Sequence, residues 1–121
     1  MAKILIAEDD KFLANAYRVK LTKGGFEVQI ARDGQEALTA MKAGKPNLLL
    51  LDLMMPVKDG FATLTEMKKD PDLKNIPVII ASNLGQKEDI DRGMALGAVD
   101  YVVKSDLSLD DLIKKIQSII K

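Results

Sequence analysis

The chain contains no cysteine and no histidine. The first absence excludes disulfides and thiolate metal sites, and says little about compartment. The second excludes a histidine nucleophile, a phosphohistidine carried by this chain and any imidazole-ligated metal. A metal bound here must be held by oxygen, which points to magnesium, manganese or calcium. Neither sign of charge is in excess: 18 Lys and Arg balance 18 Asp and Glu, so no bulk field favours nucleic acid or anionic lipid. No apolar run approaches the length of a membrane span, and Met1-Ala2-Lys3 leads into a strand pattern rather than a signal peptide. With 121 residues and 47% apolar content, the chain reads as one ordinary globular domain, which buries roughly two-thirds of its unfolded surface.

What is present is a regular alternation. Short apolar runs recur at Lys3–Ala7, Glu27–Ala31, Asn47–Asp52, Pro77–Ala81 and Ala98–Val103. The central ones are continuous, as expected of strands covered on both faces. Helical spacing fills the gaps between them. Phe12, Ala16, Val19 and Leu21 lie on a first helix stopped at Gly24-Gly25. Asp33 caps a second, with Glu36 at capping-box spacing and Ala37, Leu38 and Met41 facing inward. Phe61, Leu64 and Met67 mark a third, ending before Asp70-Pro71, and Ile90, Met94 and Leu96 a fourth, ended by Gly97. Ser108 caps a fifth that runs to Lys121 with a wide apolar stripe. Five strand–helix alternations predict an α/β fold with a parallel sheet, helices on both faces and right-handed crossovers.

In such sheets the ligand site lies beyond the carboxyl ends of the strands. That rule gathers Glu8, Asp9, Asp52, Ser82 and Lys104 on one edge, since each follows an apolar run. Asp52 is the most informative of them. It ends the run Leu48-Leu49-Leu50-Leu51 and precedes Leu53-Met54-Met55-Pro56, surroundings in which a carboxylate is costly without partners. Carboxylates sharing an edge repel one another unless a cation sits among them, and magnesium suits an all-oxygen set. Asp9 and Asp52 are the expected direct ligands, with Glu8 acting through water and the Met54 carbonyl adding a ligand from the loop. Asp52 can then serve as a nucleophile toward phosphorus. Lys104 supplies a point charge and Ser82 a hydroxyl for the transferred group.

Each residue also has an ordinary reading. Asp10 is expected to be a helix cap, and Glu8 and Asp9 could simply favour a helix N-terminus. Ser82 and Asp59-Gly60 alone suggest turns, Lys104 alone a solvated lysine, and Tyr101 alone an amphipathic strand-edge residue. The joint placement at the ends of four strands favours a site.

The stretches Ile4–Asp10 (ILIAEDD), Leu49–Gly60 (LLLDLMMPVKDG), Val78–Ser82 (VIIAS) and Gly97–Lys104 (GAVDYVVK) together resemble the receiver domains of two-component response regulators, over residues 1–121. The resemblance implies a doubly wound, five-stranded sheet of order 2-1-3-4-5 with five helices, the flavodoxin-like, CheY-like arrangement. It implies that Asp52 accepts a phosphoryl group from a phosphohistidine on a histidine kinase or a histidine phosphotransfer protein, with Mg2+ or alternatively Mn2+. Glu8 and Asp9 match the acidic pair, Ser82 the switch hydroxyl, Lys104 the lysine and Tyr101 the aromatic switch position. Ser82 would turn toward the phosphoryl group and Tyr101 fill the vacated space, moving the face formed by the fourth helix, fifth strand and fifth helix. A downstream effector protein or domain would read that face. A cytoplasmic regulator that is not a turnover enzyme is implied, monomeric or dimerising on phosphorylation, without direct nucleic-acid or membrane binding.

Two positions depart from the family pattern. Ser105 stands where proline is common, which removes a cis Lys-Pro bond. Asn83 is bulkier than the residue usual after the switch hydroxyl, and narrows access to the phosphate. Met54 and Leu84 flank the site with apolar side chains. Other classes fit less well. A dehalogenase-type phosphatase needs a second acid where Met54 stands, and a dinucleotide site needs a glycine-rich turn where Glu8-Asp9-Asp10 stands. A receiver-like binding module that is never phosphorylated is the main alternative. Whether the chain is a stand-alone regulator or a piece of a longer protein is open at this level.

Overall fold

Leu48–Leu51, four leucines in succession, forms the middle strand of the sheet, and all four side chains are buried. A computed structural model describes residues 1–106 and 108–120. Its strands are β1 (Lys3–Ala7), β2 (Glu27–Ala31), β3 (Leu48–Leu51), β4 (Val78–Ser82) and β5 (Asp100–Val103), all parallel and ordered β2-β1-β3-β4-β5. The helices are α1 (Lys11–Lys23), α2 (Gly34–Ala43), α3 (Gly60–Lys68), α4 (Lys87–Ala95) and α5 (Leu109–Ile120), with a 3-10 turn at Lys104–Asp106. The five-stranded doubly wound α/β fold of order 2-1-3-4-5 is therefore present. Lys121, to which the sequence pattern carried the last helix, lies outside the described residues.

Alternate residues of the central strands point to opposite faces, and each face is covered. Leu5, Leu49, Leu51, Val78 and Ile80 pack with Leu38 and Met41 of α2 and Leu64 and Met67 of α3. Ile4, Ile6, Leu48, Leu50 and Ile79 pack with Tyr17 and Leu21 of α1 and Leu112 and Ile116 of α5. No helix of the described residues is long and apolar enough to cross a membrane.

The helix starts follow the capping residues. Asp10 accepts from the Phe12 and Leu13 amides at 2.9 and 3.1 Å, Asp33 from Glu36 at 2.8 Å, Asp59 from Ala62 at 2.8 Å, and Ser108 from Asp111 at 3.2 Å. Asp59 is thus the cap of α3 rather than only a turn residue. The α1 stripe is corrected in part: of the residues read from the spacing, Leu21 is buried but Phe12 is 90% exposed and Val19 half-exposed, and Ala14 and Tyr17 are buried instead. Phe12 opens the helix beyond the sheet edge, where the sheet offers it no apolar surface. The same correction applies to α4. Met94 is exposed, and the fully buried residue of that helix is Gly93. A Cβ at Gly93 would lie 2.5 Å from Ile80 Cδ1 and 3.2 Å from the Tyr101 ring, so the missing side chain is what lets α4 lie directly on the sheet.

Candidate functional site at the carboxyl edge of the sheet

The strand ladder continues one residue past β1 and β3. The Glu8 amide donates to the Ala31 carbonyl and the Asp52 amide to the Ala7 carbonyl, both at 3.0 Å. These bonds fix both acidic residues at the carboxyl ends of adjacent central strands. Glu8 and Asp52 are buried, Asp9 is exposed, and carboxylate oxygens of the three lie within 4.8 Å of one another. Lys104, at the end of β5, reaches the same point. Its ammonium is 2.5 Å from Glu8 Oε1 and 3.5 Å from Asp52 Oδ2. The expected cluster of Glu8, Asp9, Asp52 and Lys104 is therefore assembled. Lys104 is drawn first to Glu8, a pairing across 96 positions of sequence.

The electrostatics follow from burial. Desolvation pushes the Glu8 carboxyl up to about 7, with the Asp52 charge adding to the rise and the Lys104 hydrogen bond opposing it. Beneath the cluster, burial and then the charges of Glu8, Asp52 and Asp10 hold the Tyr17 phenol well above its ordinary range. The site carries an excess of negative charge that a single lysine does not remove. The donor set is entirely oxygen, contains no soft ligand, and suits Mg2+ or Mn2+.

Ser82 is the last residue of β4 and fully buried. Its Oγ accepts from the Leu84 amide at 3.1 Å, and the Leu84 carbonyl accepts from the Tyr101 hydroxyl. Burial holds the Tyr101 phenol above its ordinary value, and the neighbouring Ser82 hydroxyl works against that shift. Leu84 thus joins Ser82 to Tyr101 through its own backbone, a connection that no side-chain pattern announces. Asn83 and Met54 are exposed, and Met54 and Leu84 share with Leu53, Met55, Asp59 and Phe61 a cleft of about 470 Å³. No peptide bond among the described residues is cis, in accord with Ser105 after Lys104.

The loop from Asp52 to Asp59 contains a feature that the sequence did not suggest. The Lys58 amide donates to the Pro56 carbonyl at 2.7 Å, closing a γ-turn around Val57 at φ 66°. A β-branched residue in that region is strained by about 1–3 kcal/mol, and the side chain is 83% exposed, with little packing in return. Val57→Gly is expected to raise stability by about 1 kcal/mol, the relief of strain exceeding the added unfolded-state entropy. The check is a urea midpoint that rises at unchanged slope; no rise removes the strain argument.

Comparison with known proteins gives a consistent answer. Residues 4–117 match the family model described as "Response regulator receiver domain". The chain is 40% identical over 119 residues to the probable transcriptional regulator ycf27 of Cyanophora paradoxa, covering 98% of this chain and 48% of that protein. It spans about half the length of the first curated relatives it matches. Among solved structures, the receiver domain of the Francisella response regulator 1452 is similar at TM-score 0.92 and 33% identity, over 99% of this chain and 97% of that one. The Mn2+-bound form of response regulator Rcp1 is similar at TM-score 0.84 and 34% identity, over 98% of this chain and 91% of that one. The expectation of no nucleic-acid binding is not borne out, because a balanced charge speaks only for this stretch while matched relatives are named transcriptional regulators. Fold, acidic edge and family match agree: the chain belongs to the response regulator receiver domain family of two-component signalling.

Proposed function

We propose that Asp52 is the phosphoacceptor of a phosphorelay, and that phosphorylation changes the face formed by α4, β5 and α5. The observation that carries this reading is the buried Asp52 carboxylate with the Lys104 ammonium 3.5 Å away and two further acidic residues within 4.8 Å. An Asp52 carboxylate oxygen attacks the phosphorus of a phosphohistidine on a partner kinase or phosphotransfer protein. The O–P bond forms as the N–P bond breaks, and the imidazole nitrogen leaves with the electron pair and takes a proton. Lys104, held in reserve on Glu8, turns to the new phosphoryl oxygens. Asp9 and Asp52, with the Met54 carbonyl and with Glu8 through water, would hold Mg2+, Mn2+ being the alternative. When bound, the cation neutralises charge on the phosphoryl oxygens.

The switch runs through Leu84. A Ser82 hydroxyl that turns to donate to a phosphoryl oxygen releases the Leu84 amide it now accepts from, and with it the loop whose carbonyl holds Tyr101. Tyr101 and α4 then repack, a population shift between two arrangements. In this reading the domain is a cytoplasmic regulator, not a turnover enzyme. Its single phosphoryl group is passed to water from the same carboxyl, and an effector protein or domain reads the changed face.

The test is intact mass after incubation with a phosphorylated histidine donor, with and without Mg2+, beside Asp52→Asn. A magnesium-dependent gain of one phosphoryl group, absent in the variant, is expected. No gain with several competent donors would leave a folded binding module instead. A second outcome concerns lifetime. Met54 and Leu84 shield the approach of water, so Met54→Asn is expected to shorten the phosphoryl lifetime by about tenfold, or about 1.4 kcal/mol of barrier. Decay followed by mass spectrometry checks it, and a longer lifetime in the variant refutes the shielding.

A further inference from the structure

The corner between β2 and α2 touches both halves of the site. Its first contact is the Ala31 carbonyl, which accepts from the Glu8 amide at 3.0 Å. Its second is the Gly34 amide, which donates to the Lys58 carbonyl at 3.0 Å. One short corner therefore ties the backbone of the acidic pair to the loop that follows Asp52. Gly34 is buried, and its φ is not positive, so backbone conformation does not demand glycine there. Space does. A Cβ on Gly34 would overlap the Lys58 carbonyl and the Thr63 hydroxyl. The neighbouring carbonyl is fixed as firmly, since the buried Thr63 hydroxyl and amide both donate to Asp59 O, at 2.7 and 3.0 Å. At the loop's start, the Gly60 amide donates to Leu53 O at 2.9 Å.

We propose that Gly34 is a positioning residue: by its amide and its missing side chain, the start of α2 sets where the Met54–Lys58 loop lies against the Glu8-Asp9 edge, Asp52 itself being held by the β1–β3 ladder. The strained turn at Val57 lies between Met54 and Lys58, so a displaced Lys58 carbonyl moves the Met54 end rather than being absorbed at a relaxed hinge. Glycine is a poorer helix former than alanine, and at this position the close approach supplies the return. The inference rests on the metal-binding part of the proposed function.

The experiment uses the full chain as Gly34→Ala, Thr63→Ala and the double variant, at a temperature well below every unfolding midpoint. Mn2+ alone is the probe, its affinity read by electron paramagnetic resonance. Amide resonances of residues 53–60 are recorded without metal. Gly34→Ala is expected to weaken Mn2+ binding about tenfold, as loss of a supporting contact does at other metal sites, and to displace those amide resonances. Thr63→Ala is expected to keep affinity close to that of the parent. The double variant should regain stability, because one clash is gone, without regaining affinity, because the Lys58 carbonyl clash remains. Parent-like affinity in a destabilised Gly34→Ala would overturn the proposal, as would failure of both Gly34 variants to fold, since either makes the glycine merely structural. If the parent itself ignores Mn2+, the metal reading falls. The loop resonances then still decide whether Gly34 positions the segment.

Discussion

At pH 8 and without metal, Lys104→Met is expected to lower the stability of this domain by about 3 kcal/mol. The ammonium is the partner of two buried carboxylates, at 2.5 Å from Glu8 and 3.5 Å from Asp52. Removing one member of a buried ion group leaves the others uncompensated in a medium that solvates them poorly. Methionine keeps most of the volume of the lysine stem, so the loss reports charge rather than a cavity. The penalty should shrink at pH 6. Glu8 already sits near 7 with the lysine in place, and loss of that hydrogen bond pushes it further up, so the variant meets the change by taking a proton. Urea unfolding in a chelating buffer at the two pH values measures both numbers. An equal loss at pH 6 and pH 8 would mean that Lys104 acts through packing.

The second large effect concerns Glu8 itself. Its carboxyl is raised from 4.5 to about 7 by burial first and by Asp52 after that. The folded state then binds this proton more tightly than the unfolded chain. Its contribution is complete below pH 4.5 and disappears as the pH rises through about 7. Metal-free stability is thus expected to fall between pH 5 and pH 8, where many domains are level. The lowered carboxyls, Asp70 and Asp110, act at more acid pH, because their lysine partners hold them below the ordinary 3.8. Glu8→Gln should flatten the profile and be the more stable protein at pH 8, with Lys104 left to Asp52. A wild-type profile that is level across this window, or a variant with the same slope, would refute the assignment to Glu8.

Much of this was readable in the sequence, for reasons that differ by residue. The strands declared themselves because a parallel sheet covered on both faces needs unbroken apolar runs, and Leu48–Leu51 is such a run. The acidic edge followed because Glu8 and Asp52 each end one. The phase of α1 did not follow. With Leu21, Phe12, Ala16 and Val19 form as good a stripe as Ala14 and Tyr17 do, and only the position of the sheet decides between them. Nor did the seat of α4, which rests on Gly93, a residue with no side chain to enter a hydrophobic pattern. Lys104 was expected to wait for phosphate, but its nearest partner is Glu8, a contact set by three-dimensional distance alone. Val57 was least readable of all, since a β-branched residue is the last that local preference would place at positive φ.

The order β2-β1-β3-β4-β5 also bears on how the molecule is made. β2 adds beside β1, β3 takes the other edge of β1, and β4 and then β5 extend that same side. Each new strand joins an open edge, and no strand has to be threaded between two that are already paired. A chain emerging from the ribosome can therefore build this sheet in the order in which its residues appear. The first 52 residues already carry three adjoining strands, with the Glu8 and Asp52 ends side by side. Lys104, which follows the last strand to join, closes the acidic site only after that strand is in place.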